Sequence, residues 1–125
     1  MSARDILAAA AVLGALAIVG GAFGAHALQG RLGVSELALF DTAARYQLVH
    51  AVMLLGLAAL RHAGVAVRAA AVLVCVGTVV FSGTLYALAL GAPRWLGAVT
   101  PVGGTALILG WLALLPAAWR RSPQS

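Results

Sequence analysis

The sequence predicts an all-α membrane protein, a compact bundle of four transmembrane helices in antiparallel up-down order. Hydrophobic residues make up 63% of its 125 residues, charged residues make up 9%, and the mean hydropathy is +1.05. A soluble domain carries about a quarter charged residues, so this chain has too few charges to cover a surface that faces water. Its uncharged runs cover residues 6–30, 46–60, 69–93 and 95–119. Three of these runs exceed the length of about 20 residues with which a helix crosses the hydrocarbon core.

Helix 1 is predicted over residues 6–28, with Gly30 and Gly33 after its end. The segment Ala25–Ala27 has the small-x-small pattern of a signal-peptide cleavage site. The apolar stretch before it is longer than the roughly 7–15 residues of a signal-peptide core. We therefore expect a helix that stays in the protein.

Helix 2 is predicted over residues 36–61, although its uncharged run is the shortest. Ser35 is predicted to cap a helix that starts at Glu36. Asp41 lies four residues before Arg45, a spacing that favours an ion pair on one helix face. We expect the segment to start amphipathic at the interface and to become transmembrane near Ala43. A re-entrant segment is the alternative interpretation.

Helix 3 is predicted over residues 68–90 and ends before Gly91 and Pro93. Helix 4 is predicted over residues 101–119. It starts with Pro101, because the first helical position tolerates a residue that lacks the N–H group. Together the four helices form one transmembrane domain over residues 1–125.

The net charge of +5 does not indicate a nucleic-acid partner, because the eight arginines flank apolar runs instead of gathering on one face. This distribution is typical of membrane topology, so the expected surroundings are the lipid bilayer of a bacterial inner (plasma) membrane. Five arginines lie at the N-terminus, in the second connection or at the C-terminus: Arg4, Arg61, Arg68, Arg120 and Arg121. Arg31, Arg45 and Arg94 lie on the other side. The majority predicts that both termini face the cytoplasm.

Several polar residues fall within the predicted helices, where an unpaired polar group in hydrocarbon is costly. This candidate cluster, which is either a functional path or a structural set of interhelical bonds, comprises His26, Tyr46, Gln47, His50, Thr78, Ser82 and Tyr86. Counting the helical rise from the short connection between helices 2 and 3 places His50 level with Thr78, and Gln47 level with Ser82. We therefore predict a ladder of polar pairs between these two helices, with His50 neutral.

Other features limit the chemistry. Gly20 and Gly24 form a G-x-x-x-G pattern, which predicts close helix packing. The predicted depths of His26 and His50 differ too much for a shared metal, so no metal site and no cofactor are expected. The sequence contains no nucleophile-elbow, phosphate-loop or dinucleotide-binding motif, and we expect no enzymatic activity.

Four stretches taken together, Gly21–Leu28, Tyr46–Ala51, Phe81–Tyr86 and Arg94–Gly104, resemble the family catalogued as domain of unknown function 423. That family contains bacterial inner-membrane proteins of the YgdD type and the eukaryotic transmembrane protein 256. The resemblance implies a small multi-helix membrane protein and brings no established substrate. The resemblance also implies a role for the residues of a loop motif: Arg94, Trp95, Thr100 and Pro101.

The function predicted from the sequence is that of a non-enzymatic integral membrane protein. Two alternatives stay open. One is a small channel or transporter with a polar path between helices, and the other is an accessory subunit of a larger membrane complex. A homo-oligomer is likewise left open.

Overall fold

The computed structural model describes residues 1–120, which form helices and connecting turns and contain no strand. The helices are α1 (Ala3–His26), α2 (Val34–His62), α3 (Arg68–Ala89), α4 (Thr100–Leu112) and α5 (Leu115–Trp119). A short 3₁₀ segment (Arg94–Ala98) precedes α4. Counting Arg94–Trp119 as one unit, four helical segments are long and apolar enough to cross a membrane, with mean hydropathies of 2.4, 1.4, 2.1 and 1.8. The predicted all-α membrane fold with four spanning helices is confirmed.

The first two helices begin earlier than their predicted starts. At α1, Ser2 and Asp5 form a capping box, in which each side chain accepts a hydrogen bond from the other residue's backbone N–H. At α2 the capping position belongs to Gly33, and the Ser35 hydroxyl donates to Glu36 instead. The prediction that Ser35 caps α2 is therefore wrong.

Helix α2 is one uninterrupted helix of 29 residues. At about 1.5 Å per residue it is more than 40 Å long, which exceeds the hydrocarbon thickness. Asp41 and Arg45 form the predicted ion pair, 2.8 Å apart. The continuous helix favours a spanning segment over the re-entrant interpretation.

The helix predicted over residues 101–119 is interrupted. Helix α4 ends at Leu112, and α5 begins at Leu115 with Pro116 in its first turn. A proline inside a helix lacks an N–H donor, and its ring clashes with the carbonyl four residues earlier. The prediction of one continuous helix overlooked this break.

The helices pack in chain order: α1 lies along α2, α2 along α3, and α3 along α4. Between α1 and α2 the contacting positions run in opposite directions, since Gly24 faces Phe40 and Gly14 faces Ala51. Helix α2 is the most enclosed, with half of its most apolar window buried, compared with 17% in α1 and 22% in the last unit. Helices α2 and α3 are thus the central pair, flanked by α1 and α4.

The apolar core has two parts. The smaller part lies where α1 ends and α2 begins, around Leu28, Phe40 and Ala89. The larger part lies mainly where α1 begins, α2 ends and α3 begins, and its buried members are Ile6, Ala10, Met53, Leu54, Leu57, Ala58, Val67, Ala70, Ala71, Val74 and Leu107. Side chains on the outer faces, such as Ile18 and Ile108, are exposed and apolar, as lipid contact requires.

A row of glycines brings α3 and α4 together. A Cβ atom at Gly103 would collide with the backbone nitrogen of Phe81 and lie 2.9 Å from its Cα. A Cβ atom at Gly77 would lie 2.9 Å from the backbone nitrogen of Leu107. The two backbones approach this closely because these positions carry no side chain.

Candidate functional site: a polar network across the helices

Gln47 connects three helices. Its side chain, only 5% exposed on α2, donates from Nε2 to the Leu13 carbonyl of α1 over 2.8 Å. Its Oε1 accepts a hydrogen bond from the Tyr86 hydroxyl of α3 over 2.9 Å. Both ends of the amide are therefore used inside the protein.

His50 also forms two hydrogen bonds, one within α2 and one to α4. Its Nδ1 lies 2.7 Å from the Tyr46 carbonyl oxygen, which only accepts, so Nδ1 carries the proton. Its Nε2 accepts a hydrogen bond from the Trp111 indole N–H of α4 over 3.2 Å. These two bonds fit the tautomer with the proton on Nδ1 and the free lone pair on Nε2.

Two further hydrogen bonds join α3 to its neighbours. The Ser82 hydroxyl donates to the Ala43 carbonyl of α2 over 2.8 Å. The hydroxyls of Thr84 and Thr100 lie 2.7 Å apart between α3 and the first turn of α4. Thr100, from the loop motif, thus takes part in interhelical bonding.

The predicted ladder between α2 and α3 is wrong in its pairing. Neither His50 with Thr78 nor Gln47 with Ser82 is hydrogen bonded in residues 1–120. Depth along a helix follows from the rise per residue, but the choice of partner depends on rotation about the helix axis. Gln47 is turned toward α1 and Tyr86, and His50 toward α4.

Thr78 is the exception among the buried polar side chains. It is 1% exposed, and its Oγ1 atom has no hydrogen-bond partner within the described part of the chain. An unpaired hydroxyl in an apolar interior costs free energy. This position is a local weakness in an otherwise paired network.

The side chains of the remaining predicted residues form no hydrogen bond within residues 1–120. His26 is the exposed last residue of α1, and Arg94 and Trp95 are exposed in the 3₁₀ segment. Tyr46 is about half exposed and packs its ring 4.8 Å from that of Phe81. Pro101 lies in the first turn of α4, which begins at Thr100, one residue before the predicted start.

The glycines of α1 lie against aromatic rings. A Cβ atom at Gly20 would lie 3.0 Å from the Tyr86 hydroxyl oxygen, and one at Gly24 would lie 2.7 Å from Cδ1 of Phe40. The rings of Phe40 and Tyr86 meet edge to face, with centroids 4.7 Å apart. The two glycines therefore provide the space that this aromatic pair fills.

Trp111 and Thr84 are network members that sequence reasoning missed. Trp111 supplies an indole N–H in the middle of an apolar run, a polar group that needs a partner when it is away from water. Beside its bond to His50 lies a half-open groove of about 330 Å³. The groove is lined by Tyr46, His50, Phe81, Gly104, Leu107, Ile108 and Trp111.

A double-mutant cycle tests whether the Gln47–Tyr86 bond stabilises the fold. We expect Gln47→Leu and Tyr86→Phe to show a coupling of about 1 kcal/mol in the free energy of unfolding in detergent, typical of interhelical hydrogen bonds. Pairing Gln47→Leu with Thr105→Val gives the control, since Thr105 bonds only to its own helix at Pro101. Strict additivity in the first cycle would show that this bond contributes nothing.

The described residues contain no group of three or more His, Cys, Asp or Glu side chains placed to hold a metal ion. What the arrangement does chemically is to join neighbouring helices by hydrogen bonds. These bonds involve side chains and carbonyl oxygens that would otherwise face hydrocarbon.

Comparison with known proteins shows which family the chain belongs to. The family model described as "Protein of unknown function (DUF423)" matches residues 20–104. The chain is 38% identical over 122 residues to the UPF0382 inner membrane protein YgdD of Escherichia coli (strain K12), covering 96% of this chain and 93% of that protein. It is 42% identical over 109 residues to a UPF0382 membrane protein of Staphylococcus epidermidis, covering 83% of this chain and 89% of the relative. No solved structure matches significantly. The chain is a membrane protein and belongs to the DUF423 family of unknown function.

Proposed function

We propose that this chain is a non-enzymatic membrane scaffold that serves as an accessory subunit of a larger membrane complex. The observation that supports the proposal is that most buried polar side chains have hydrogen-bond partners inside the protein. The side chains of three buried residues form all their hydrogen bonds with other helices or with the backbone of their own helix: Gln47, His50 and Ser82. A protein built this way gains a well-defined shape from its polar residues.

The same observation argues against catalysis. A general base needs a free lone pair within reach of its substrate. The Nε2 lone pair of His50 already accepts the Trp111 N–H, and the ring is only 5% exposed. Using this histidine as a base would first require breaking a bond to α4.

Transport is the second candidate, and two observations favour it. The Thr78 hydroxyl is buried without a partner, and a groove of about 330 Å³ lies beside His50. A path for ions or polar solutes needs a row of polar groups with free hydrogen-bonding capacity. The groove wall is instead mainly aromatic and aliphatic, so the scaffold is the better supported function.

Two measurements separate these functions. Purified protein in proteoliposomes is expected to produce no ion or solute flux above that of empty vesicles. Native electrophoresis of membranes solubilised in mild detergent is expected to show the chain in a species larger than the purified protein forms alone. A flux that His50→Leu abolishes would overturn the scaffold proposal, and migration identical to the purified protein would argue against a complex.

For orientation we predict that both termini face the cytoplasm. With the helices in up-down order, four described arginines share the side of the N-terminus: Arg4, Arg61, Arg68 and Arg120. Three lie at the other end, and one of these, Arg45, is paired with Asp41. Arg121, also counted from the sequence, lies outside the described residues. Positive residues are retained on the cytoplasmic side.

Green fluorescent protein fused after Ser125 tests the orientation, because it becomes fluorescent only when it folds in the cytoplasm. We expect a fluorescent fusion and an inactive alkaline phosphatase fusion at the same position. The reverse pattern would show the opposite orientation.

A further inference from the structure

A groove runs between α1 and α2 from the end where α1 begins and α2 ends. Its first part, of about 440 Å³, is lined by Ala3, Arg4, Leu7, Leu55, Ala58, Ala59 and His62. Its second part, of about 230 Å³, is lined by Leu7, Ala10, Ala11, Gly14, Leu48, Ala51, Val52 and Leu55. Because Leu7 and Leu55 line both parts, the two parts adjoin each other along the same surface.

The dimensions of this groove fit an acyl chain. From Arg4 to Gly14 the helical rise is about 15 Å, which is roughly half of the hydrocarbon core and therefore the depth of one leaflet. Alanines and Gly14 form much of its lining, and leucines add apolar surface along its length. At Gly14 a Cβ atom would lie 3.6 Å from the Cβ of Ala51, so the helices close the floor there.

The polar groups of the groove all lie at one end. Of its lining residues only Arg4 and His62 carry polar side chains, and both are exposed at its outer end. Neighbouring Asp5 does not line the groove, and its carboxylate accepts the Ser2 backbone N–H over 2.7 Å. A guanidinium group and an imidazole N–H at the mouth of an apolar groove match a phosphate group followed by a hydrocarbon chain.

We infer that this groove binds one phospholipid with an anionic headgroup. The headgroup phosphate contacts Arg4 and His62, and one acyl chain lies along Leu7, Leu55 and the small residues between them. A transmembrane helix of a partner, about 10 Å across, would need a surface that continues through both leaflets. This groove instead covers one leaflet and ends at cationic and polar groups, which favours a lipid.

Native mass spectrometry of the purified protein in detergent, titrated with phosphatidylglycerol, tests the inference. We expect a saturable adduct of one lipid, and about tenfold weaker binding of phosphatidylcholine. Arg4→Gln and His62→Gln should each weaken the phosphatidylglycerol adduct, and the double variant should weaken it by about tenfold. Ala11→Leu should weaken it for both lipids, because the added side chain fills the groove.

Two matched controls accompany these variants. Arg31→Gln removes an arginine at the opposite end of the molecule, and Ala15→Leu enlarges an exposed alanine one turn after Ala11 that does not line the groove. Neither should change lipid binding. The melting temperature of every variant without lipid shows whether it is folded, and Ala59→Leu fills the groove from α2 if Ala11→Leu does not fold.

Three results would overturn the inference. Equal binding of both lipids by the wild type and the double variant would indicate ordinary annular lipid. Competition by inorganic phosphate alone, with groove-filling variants unaffected, would indicate an anion site without an acyl groove. Preferential binding unaltered by all variants would place the lipid elsewhere. None of these results depends on flux or on complex formation, so the scaffold proposal stands or fails separately.

Discussion

Gly103→Ala is expected to lower the free energy of unfolding by about 1–3 kcal/mol, the usual cost of overpacking a close-packed interior. The new methyl group would collide with the backbone nitrogen of Phe81 and lie 2.9 Å from its Cα. Backbone atoms cannot escape by a change of rotamer, so α3 and α4 must separate. Gly103→Leu, which adds a larger side chain, is expected to give no folded protein.

Gly104→Ala is the matched control on the next residue. A Cβ atom there would lie 3.6 Å from the Phe81 ring, which is an ordinary contact. Both substitutions gain the same helix propensity, about 1 kcal/mol in favour of alanine. The comparison is made by denaturant titration in detergent micelles. Equal stabilities of the two alanine variants would show that the α3–α4 interface relaxes freely and that its close approach is not required.

Gly24→Leu is expected to destabilise the protein by about 3 kcal/mol, at the upper end of the overpacking range. Already the first atom of the new side chain would lie 2.7 Å from Cδ1 of Phe40, which is only 6% exposed. Moving the Phe40 ring would disturb its edge-to-face contact with the ring of Tyr86. Pushing α1 away from α2 would also lengthen the bond from Gln47 to the Leu13 carbonyl.

Thermal unfolding in detergent measures this effect, with Gly56→Leu as the control, because nothing lies within 4 Å of a Cβ atom at Gly56. A second change provides a sharper test. Phe40→Leu frees volume at the point of collision, so it should restore part of the stability lost in Gly24→Leu. If the two changes instead add their separate costs, Gly24 and Phe40 do not compete for the same space.

The elements of this fold could be predicted because they depend on local properties. Length and hydropathy predicted four spanning segments, and the spacing of Asp41 and Arg45 predicted an ion pair within one helix. Helix ends were less accurate, since Gly33 rather than Ser35 occupies the capping position of α2. The break near Pro116 followed from the same local chemistry and was missed only because the surrounding run is uniformly apolar.

The partners of the polar residues could not be predicted in this way. A difference of one residue rotates a side chain by about 100° around the helix axis, so a small error in packing angle changes its neighbour completely. Gln47 binds a backbone carbonyl of α1, an acceptor that every residue offers and no sequence pattern marks. His50 is hydrogen bonded to Trp111 of α4, whereas the prediction from the helical rise compared His50 only with residues of the adjacent helix α3.

The close contact at Gly103 was missed for a related reason. The sequence pattern Gly20–Gly24 stood out because two glycines lie four residues apart, whereas Gly103 and Gly110 are separated by two helical turns. Both spacings place residues on one helix face. The α3–α4 interface uses the longer spacing, with Gly110 against Val74 and Gly103 against Phe81.

The central position of α2 has a consequence for biogenesis. The translocon inserts each segment into lipid according to its free energy of transfer. An arginine or aspartate near the middle of a helix raises this free energy by about 2.5–3.5 kcal/mol. Helix α2 has the lowest mean hydropathy of the four, 1.4 against 2.4 for α1. It also carries the buried amide of Gln47 and the buried imidazole of His50, both of which form hydrogen bonds to other helices. Helix α1 emerges from the ribosome first and supplies the carbonyl for Gln47, so it can pack against α2 during synthesis. The order in which the helices are translated is then also the order in which they assemble.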